Sequence, residues 1–173
     1  LRIVDPANGR QQAVGDVGEV CCKSPAMMRG YWRDPARTAE VIDEDGWLHT
    51  GDLGVVGADG NLRIVGRLKE MYIRGGYNVY PAEVEAALVE HPAVARVAVV
   101  GVPDRVLGEV GVAFVVPAPD AAPPTLDALR AWCRDRLADY KAPDRLELVD
   151  DLPVTSMLKI DKRALVAQTT EDR

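Results

Sequence analysis

The chain has 173 residues, of which 47% are apolar, so it is long enough for one domain or two small ones with a substantial core. Its net charge of −6 argues against binding nucleic acid through bulk electrostatics, so any anion site must be local. No apolar run approaches the ~18 residues of a transmembrane segment. With three cysteines in no metal or disulfide spacing, we expect no metal site and a reducing, cytoplasmic location.

Residues 1 to about 66 are typical of antiparallel β structure. Short apolar runs, VGEVCCKS, GWLHTGDLGVV and LRIVG, are separated by turns, and Asp59-Gly60 between two of them is a hairpin signal. RDPARTAEVI predicts a short helix or a helical turn between the first two runs. Because the chain begins LRIVDPANGR, without an initiator Met or a signal-peptide pattern, we expect it to be part of a longer protein.

The pattern changes after Gly66. Pro81 begins a predicted helix that ends at His91-Pro92, and TLDALRAWCRDRLADY and DKRALVAQ predict two more. VARVAVVGV and GEVGVAFVV predict strands apolar enough to be covered by helices, and RLELVD predicts a shorter strand. This half is therefore predicted to be a compact α/β module.

Several common catalytic patterns are absent from the sequence. There is no P-loop motif, and GDLGVVG has the wrong spacing for a dinucleotide fingerprint. His49 and His91 stand far apart in sequence without a Ser or Cys partner, so a catalytic triad is poorly supported.

Four local features remain, and each also has a structural interpretation. Asp52, in a predicted turn, can accept hydrogen bonds from vicinal hydroxyls or simply close that turn. Arg67 and Lys69 can bind a sugar or phosphate, or form surface salt bridges. Gly75-Gly76 can leave room for a thin ligand or supply positive φ angles. Lys159 can reach a phosphate or remain an exposed cation.

The order of the motifs is more specific than any single residue. GEVCCKSPAMMRGYWRDPARTAEVIDEDGWLHTGDLG, GRLKEMYIRGGYNVYPAEVE, GVPDRVLGE and LPVTSMLKIDKRAL follow one another. From about residue 14 onward, the chain resembles the carboxyl-terminal part of the acyl-adenylate-forming enzymes, most closely the bacterial acyl-CoA synthetases, also called AMP-dependent synthetases and ligases.

This resemblance implies an α+β, or mixed α/β, fold in two parts. Residues 1–68 would form the end of a large amino-terminal domain, a distorted antiparallel β-barrel. Residues 69–173 would form a mobile carboxyl-terminal α/β domain with a three-stranded sheet and flanking helices, with the hinge at its start.

The resemblance also implies a reaction in two halves. ATP and a carboxylic acid, which we expect to be a fatty acid, give acyl-AMP and pyrophosphate with Mg²⁺, and the CoA thiol then takes the acyl group. The partners would be the acid, ATP, CoA and the missing amino-terminal domain. The phosphate loop, the acyl pocket and the magnesium ligands would all lie upstream, so this chain alone is expected to be inactive.

The same resemblance implies a role for each candidate residue. Asp52 and Arg67 would bind the ribose of ATP, and Lys69 would be the hinge. Gly75 and Gly76 would leave room for the pantetheine arm of CoA. Lys159 would be catalytic, bridging the acid carboxylate and the ATP phosphate during adenylation.

Two positions depart from the usual family pattern. Leu158 stands where the family usually has Gly, and Tyr77 where many members have Glu, so we expect Leu158 to affect the backbone that carries Lys159. Two alternative functions remain open: a carrier-protein-loading adenylation domain, and a non-catalytic interaction module.

Overall fold

The computed structural model describes residues 1–171, and the chain divides into two compact units. The first comprises Leu1–Lys69 and the second begins at Glu70. A 3₁₀ turn, Leu68–Glu70, spans this division. Among the described residues, no helix has the length and apolar character needed to cross a membrane.

The first unit contains an antiparallel sheet and one short helix. Its elements are β1 (Arg2–Val4), β2 (Gly18–Cys22), α1 (Pro35–Val41), β3 (Leu48–Val56) and β4 (Leu62–Arg67). The strands lie in the order β1-β2-β3-β4, and each neighbouring pair is antiparallel. This agrees with the antiparallel structure predicted from the sequence, whereas closure into a barrel stays a prediction about a longer protein.

Local signals in the sequence explain where these elements begin and turn. Asp34 caps α1 by accepting a hydrogen bond from a backbone N–H of its first turn, and Pro35 follows at a position that needs no donor. In the β3–β4 hairpin, Asp59 accepts a hydrogen bond from the Asn61 N–H at 3.1 Å, and Gly60 has a φ of +78°. The predicted hairpin is therefore confirmed.

The second unit combines a larger sheet with three helices. Its elements are β5 (Tyr72–Arg74), β6 (Tyr77–Val79), α2 (Pro81–Leu88), β7 (Val94–Asp104), β8 (Gly108–Pro117), α3 (Leu126–Arg134), β9 (Arg145–Leu148) and α4 (Lys162–Glu171). The strand order is β6-β5-β8-β7, and β9 pairs parallel to β8.

The expectation of a three-stranded sheet was wrong, because this sheet has five strands. The three predicted strands are β7, β8 and β9. The two others, β5 and β6, are three-residue strands of one hairpin, in which Arg74 of β5 pairs with Gly108 of β8. Strands this short carry too little alternation to be recognised in the sequence.

Helices cover both faces of this sheet, as the apolar character of its long strands predicted. Alternate residues of β7 and β8 point to opposite faces and enter two separate cores. One core joins the strands to α2 and α3 and includes Val84, Leu88, Val97, Val99, Val115, Leu129 and Cys133. The other involves α4 and includes Ala98, Val100, Val112, Phe114, Leu152 and Leu165.

Candidate functional site

The strand that carries Asp52 is irregular at that residue. Sequence analysis placed Asp52 in a turn, but it lies within β3, at a bulge. Cys21 pairs with His49 and Glu19 pairs with Leu53, so β3 has extra residues opposite Val20. Gly51, at the bulge, has a φ of +71°, a conformation that favours glycine. The local irregularity therefore sets the direction in which Asp52 leaves the sheet.

Asp52 and Arg67, the two predicted nucleotide-binding residues, meet across the sheet. They are paired residues of β3 and β4, and Arg67 Nε lies 3.0 Å from Asp52 Oδ1. Their side chains are 32% and 62% exposed, so the pair is accessible and contributes little to stability. An ionised carboxylate has about four acceptor positions, so Asp52 can accept bonds from ligand hydroxyls while Arg67 is in place.

Glu19, which sequence analysis missed, holds the bulge from the neighbouring strand. Its Oε1 accepts a hydrogen bond from the Gly51 N–H at 3.1 Å, and its Oε2 accepts one from His49 Nδ1 at 2.7 Å. Thr50 Oγ1 donates to the Val20 carbonyl at 2.8 Å. The only signal in the sequence was an acidic residue inside an apolar strand, GEVCC.

The same region brings together three side chains of metal-ligating type. Ligand atoms of Glu19, Cys21 and His49 lie within 4.8 Å of one another. Burial, with a further contribution from the Glu19 charge, raises the pKa of the Cys21 thiol, whereas metal binding requires the thiolate. Both Glu19 oxygens already accept hydrogen bonds, so this arrangement is best described as a hydrogen-bonded network.

The residue after the predicted hinge is fixed by an ion-pair cluster. Lys69 is exposed, but Glu70 Oε2 lies 2.7 Å from Lys162 Nζ. Lys162 Nζ is also 2.8 Å from Glu85 Oε1, and Glu85 Oε1 accepts the Val99 N–H at 2.8 Å. The cluster links α2, β7, α4 and the start of the second unit. Sequence analysis missed it because its members are far apart in the chain.

The Gly75-Gly76 pair forms the turn of the β5–β6 hairpin. Their φ angles are +56° and +87°, so both lie in a region that favours glycine. A Cβ on Gly76 would meet no atom within 4 Å, and one on Gly75 would meet only Leu107, at 3.5 Å. The structure confirms the interpretation as positive-φ residues, whereas a role in leaving room for a thin ligand stays a prediction.

Tyr77, the next residue, is held by aromatic stacking. Its ring stacks on that of Tyr140, with centroids 4.7 Å apart. The aromatic residue at this family position thus has a structural partner in the same unit.

Lys159 lies at the end of a tight loop. The Thr155 N–H donates to the Lys159 carbonyl at 2.7 Å, and the Leu158 N–H donates to the Thr155 carbonyl at 2.9 Å. Leu158 has a φ of +59°, the left-handed conformation for which glycine is suited. Among the described residues, Lys159 has no ion-pair partner, and no hydrogen bond joins its side chain to the Gly75-Gly76 turn.

Comparison with known families identifies this second unit. Residues 83–159 match the model of a family described as AMP-binding enzyme C-terminal domain. The matched segment runs from α2 to Lys159 itself.

Curated relatives match nearly all of the chain. It is 48% identical to a feruloyl-CoA synthase of Amycolatopsis sp over 94% of this chain and 32% of that protein. It is 44% identical to a long-chain-fatty-acid–CoA ligase of Salmonella typhimurium over 95% of this chain and 28% of the relative. The chain thus spans about a third of the length of these relatives.

Solved structures show the same architecture. An amide bond synthetase, McbA from Marinactinospora thermotolerans, superimposes with a TM-score of 0.89 at 47% identity. That match covers 96% of this chain and 34% of the other.

Proposed function

This chain belongs to the AMP-binding, acyl-adenylate-forming enzymes, and we propose that it is the carboxyl-terminal portion of an AMP-forming acyl-CoA synthetase. One observation carries the proposal: relatives named as CoA ligases or synthases are 44–48% identical over 94–95% of the chain. Because the chain covers only about a third of their length, the catalytic unit we propose is a longer protein. We propose a cytoplasmic location for it on the separate ground that the three cysteines follow no disulfide spacing.

We propose that the complete protein joins a carboxylic acid to CoA in two steps. ATP and the acid give acyl-AMP and pyrophosphate, and the CoA sulfur then attacks the acyl carbonyl and displaces AMP. Mg²⁺, held by residues upstream of this chain, would neutralise the charge of the ATP phosphates. A fatty acid is our specific proposal for the acid, supported by the Salmonella relative, which is named a long-chain-fatty-acid–CoA ligase, whereas the Amycolatopsis relative is named a feruloyl-CoA synthase.

In the first unit, the Asp52–Arg67 pair would hold the nucleotide. An Asp52 oxygen would accept hydrogen bonds from both ribose hydroxyls, since vicinal hydroxyls can donate to one carboxylate. Arg67, whose Nε lies 3.0 Å from Asp52 Oδ1, would keep that carboxylate oriented. The pair is supported as a site by its accessibility and by the hydrogen bonds that hold the bulge from which Asp52 projects.

In the second unit, Lys159 would act during adenylation. Attack of the acid on ATP gathers negative charge between the two substrates, and a cation placed there stabilises the transition state. Without an ion-pair partner among the described residues, the Lys159 ammonium is available for such a role. It would act only when the second unit presents this loop to the nucleotide.

Thioester formation would use a different face of the second unit. We propose that Lys69 is the pivot between the two half-reactions, and that the Gly75-Gly76 turn then lies beside the pantetheine arm. The open space next to Gly76 supports this role, because a bulky residue there would obstruct a thin ligand. In this proposal, one conformation of the domain places Lys159 at the site during adenylation, and the other places the Gly75-Gly76 turn there during thioester formation.

A second candidate function concerns the acyl acceptor. The amide bond synthetase McbA is 47% identical to this chain, as similar in sequence as the relatives named as CoA ligases or synthases. Transfer of the acyl group to an amine, instead of to CoA, is therefore the main competing reaction. A carrier-protein thiol is a third acceptor. A non-catalytic interaction module is disfavoured by the presence of Asp52, Arg67 and Lys159 together.

The proposal is tested with the full-length protein. Purified enzyme, ATP and Mg²⁺ are incubated with a panel of fatty and aromatic acids, and each reaction receives CoA, an amine or a carrier protein. We expect pyrophosphate release and acyl-CoA with at least one acid. Amide or acyl-carrier product without acyl-CoA would replace the proposed acceptor, and no adenylate with any acid would refute the function. The isolated 173 residues should show no ATP–pyrophosphate exchange.

A further inference from the structure

We propose that Glu19 is a positioning residue of the nucleotide site, acting on ATP through Asp52. The inference rests on the proposed function, in which Asp52 receives the ribose hydroxyls. Glu19 lies on β2, and its carboxylate reaches across to the bulge of β3. It would not touch the nucleotide itself.

The two oxygens of Glu19 hold the bulge at two points. Oε2 accepts a hydrogen bond from the His49 side chain at 2.7 Å, and Oε1 accepts one from the Gly51 backbone at 3.1 Å. These contacts lie three and one residues before Asp52. Since Gly51 has a φ of +71°, the bulge requires an unusual backbone conformation, and the carboxylate stabilises it by binding its N–H.

A further hydrogen bond carries this constraint to Asp52 itself. The Thr50 hydroxyl donates to the Val20 carbonyl at 2.8 Å and accepts the Asp52 N–H at 3.1 Å. Two adjacent residues of β2, Glu19 and Val20, therefore form hydrogen bonds to the segment that ends at Asp52. With its main chain fixed, Asp52 can meet the ribose without a further loss of backbone freedom.

The burial of Glu19 argues for a specific role. It is 7% exposed, and among the described residues it is the one buried side chain of the Asp, Glu, His, Lys or Arg type. Burying a carboxylate is costly unless it is hydrogen-bonded, and an apolar residue of similar volume would often stabilise a strand equally well. Such a residue would leave the Gly51 N–H unsatisfied and the bulge free to rearrange.

The imidazole of His49 is restrained from its other side as well. Its Nε2 lies 3.5 Å from Asp43 Oδ2, and that same oxygen accepts a hydrogen bond from Arg2 at 2.9 Å. His49 thus connects Glu19 to a charged pair near β1. This network fixes one end of the bulge without reaching the Asp52–Arg67 ion pair.

The test measures how strongly the enzyme prefers ATP to 2′-deoxy-ATP. The full-length protein and its Glu19→Gln, Asp52→Ala and doubly substituted variants are compared by kcat/KM for pyrophosphate release with each nucleotide. Glutamine has the size of Glu19, but its NH₂ group would face one of the two N–H donors, His49 Nδ1 or the Gly51 backbone, so one of the two hydrogen bonds is lost. We expect Glu19→Gln to reduce the preference about 3- to 10-fold, as for the loss of one hydrogen bond. The double variant should match Asp52→Ala, because both act through one contact.

Val55→Ala is the matched control for destabilisation. Val55 is also buried and on β3, beyond the bulge, so the variant should lower stability while retaining the preference for ATP. If Glu19→Gln does not fold, His49→Ala, at a side chain 32% exposed, should reduce the preference about 2- to 5-fold.

The outcomes separate this inference from the function on which it rests. A preference that falls in Asp52→Ala but is unchanged in a folded Glu19 or His49 variant overturns the inference alone. A preference unchanged in Asp52→Ala overturns the assignment of Asp52, and the inference with it. Acyl-CoA synthesis by the unsubstituted enzyme reports on the proposed function separately.

Discussion

Asp52 and Arg67 face one another on adjacent antiparallel strands, and a 3.0 Å ion pair joins their side chains. Fifteen positions apart in sequence, they are brought together by the β3–β4 hairpin. An exposed ion pair of this kind contributes about 0–1 kcal/mol to stability. Removing it should therefore affect nucleotide binding at the proposed site more than the stability of the fold.

We predict that Asp52→Ala weakens the use of ATP in the full-length enzyme. Loss of a charged hydrogen-bond acceptor costs about 1.5–3 kcal/mol, which corresponds to about 10- to 150-fold in kcat/KM for ATP. Steady-state kinetics with varied ATP measure the effect. Asp59→Ala, in the turn of the same hairpin, is the control and should leave ATP kinetics unchanged. Unaltered KM and kcat in Asp52→Ala would make Asp52 purely structural.

We predict that Gly76→Leu spares adenylation and impairs thioester formation. The side chain would occupy the open space beside the β5–β6 turn, where we place the pantetheine arm. Gly60→Leu is the matched control, because Gly60 has a similar φ of +78°, also without neighbours within 4 Å, but lies in the other unit. Single-turnover assays of each half-reaction measure both variants. Equal loss of both half-reactions in Gly76→Leu would contradict the assignment.

Much of the fold followed from local patterns in the sequence. The apolar runs of β7 and β8 and the apolar stripe of α2 are dictated by burial, so periodicity revealed them. The hairpin at Asp59-Gly60 was equally local. By contrast, β5 and β6 have three residues each, and they owe their place in the sheet to tertiary pairing that no short pattern encodes.

The candidate site was predictable only where a motif carried it. Asp52 and Lys159 were recognisable from family motifs, but their roles stay predictions. Glu19 and Lys162 were not recognised, since each acts through a contact between distant parts of the chain: 30 residues to His49 and 92 to Glu70. Composition and periodicity report which side chains are buried or exposed, whereas such contacts depend on the register of the sheet and the packing of the helices.

We predict that Leu158→Gly stabilises the protein by about 0.5–1 kcal/mol. A left-handed conformation costs a non-glycine residue about 1–2 kcal/mol, and the greater freedom of glycine in the unfolded chain offsets part of the gain. Leu158 is 84% exposed, so little packing is lost. Met157→Gly, at the preceding exposed position and without a positive φ, should instead destabilise. Denaturant unfolding compares the two, and a lower midpoint for Leu158→Gly would contradict the strain we describe.

We predict that Lys162→Met destabilises the second unit by about 1–3 kcal/mol. The side chain of Lys162 is 20% exposed and its ammonium lies between Glu70 and Glu85, so the substitution leaves two neighbouring carboxylates without their cation. Arg96→Met, which removes the more exposed ion pair with Asp151, should cost less than about 1 kcal/mol. Denaturant unfolding measures both. Equal small effects would show that the cluster does not anchor the start of this unit.

The final prediction distinguishes the roles of two exposed lysines, Lys159 as a catalytic cation and Lys69 as the hinge. Lys159→Ala removes a cation that would act only in adenylation, and by analogy with deleting one oxyanion-hole donor we expect about a 10²–10³-fold loss in that half-reaction. Supplied acyl-adenylate should still be converted to thioester. Lys69→Pro instead fixes φ near −65° and removes an N–H at the proposed pivot.

If that fixed angle suits adenylation, Lys69→Pro retains the first step and loses thioester formation, the reverse of the Lys159→Ala result. Rapid-quench assays of each half-reaction on both variants measure the difference. Lys23→Ala, an exposed lysine on the first unit, is the control and should affect neither step. Loss of the same step to the same extent in both variants would refute the hinge assignment, because removing a catalytic cation and fixing a hinge are expected to impair different half-reactions.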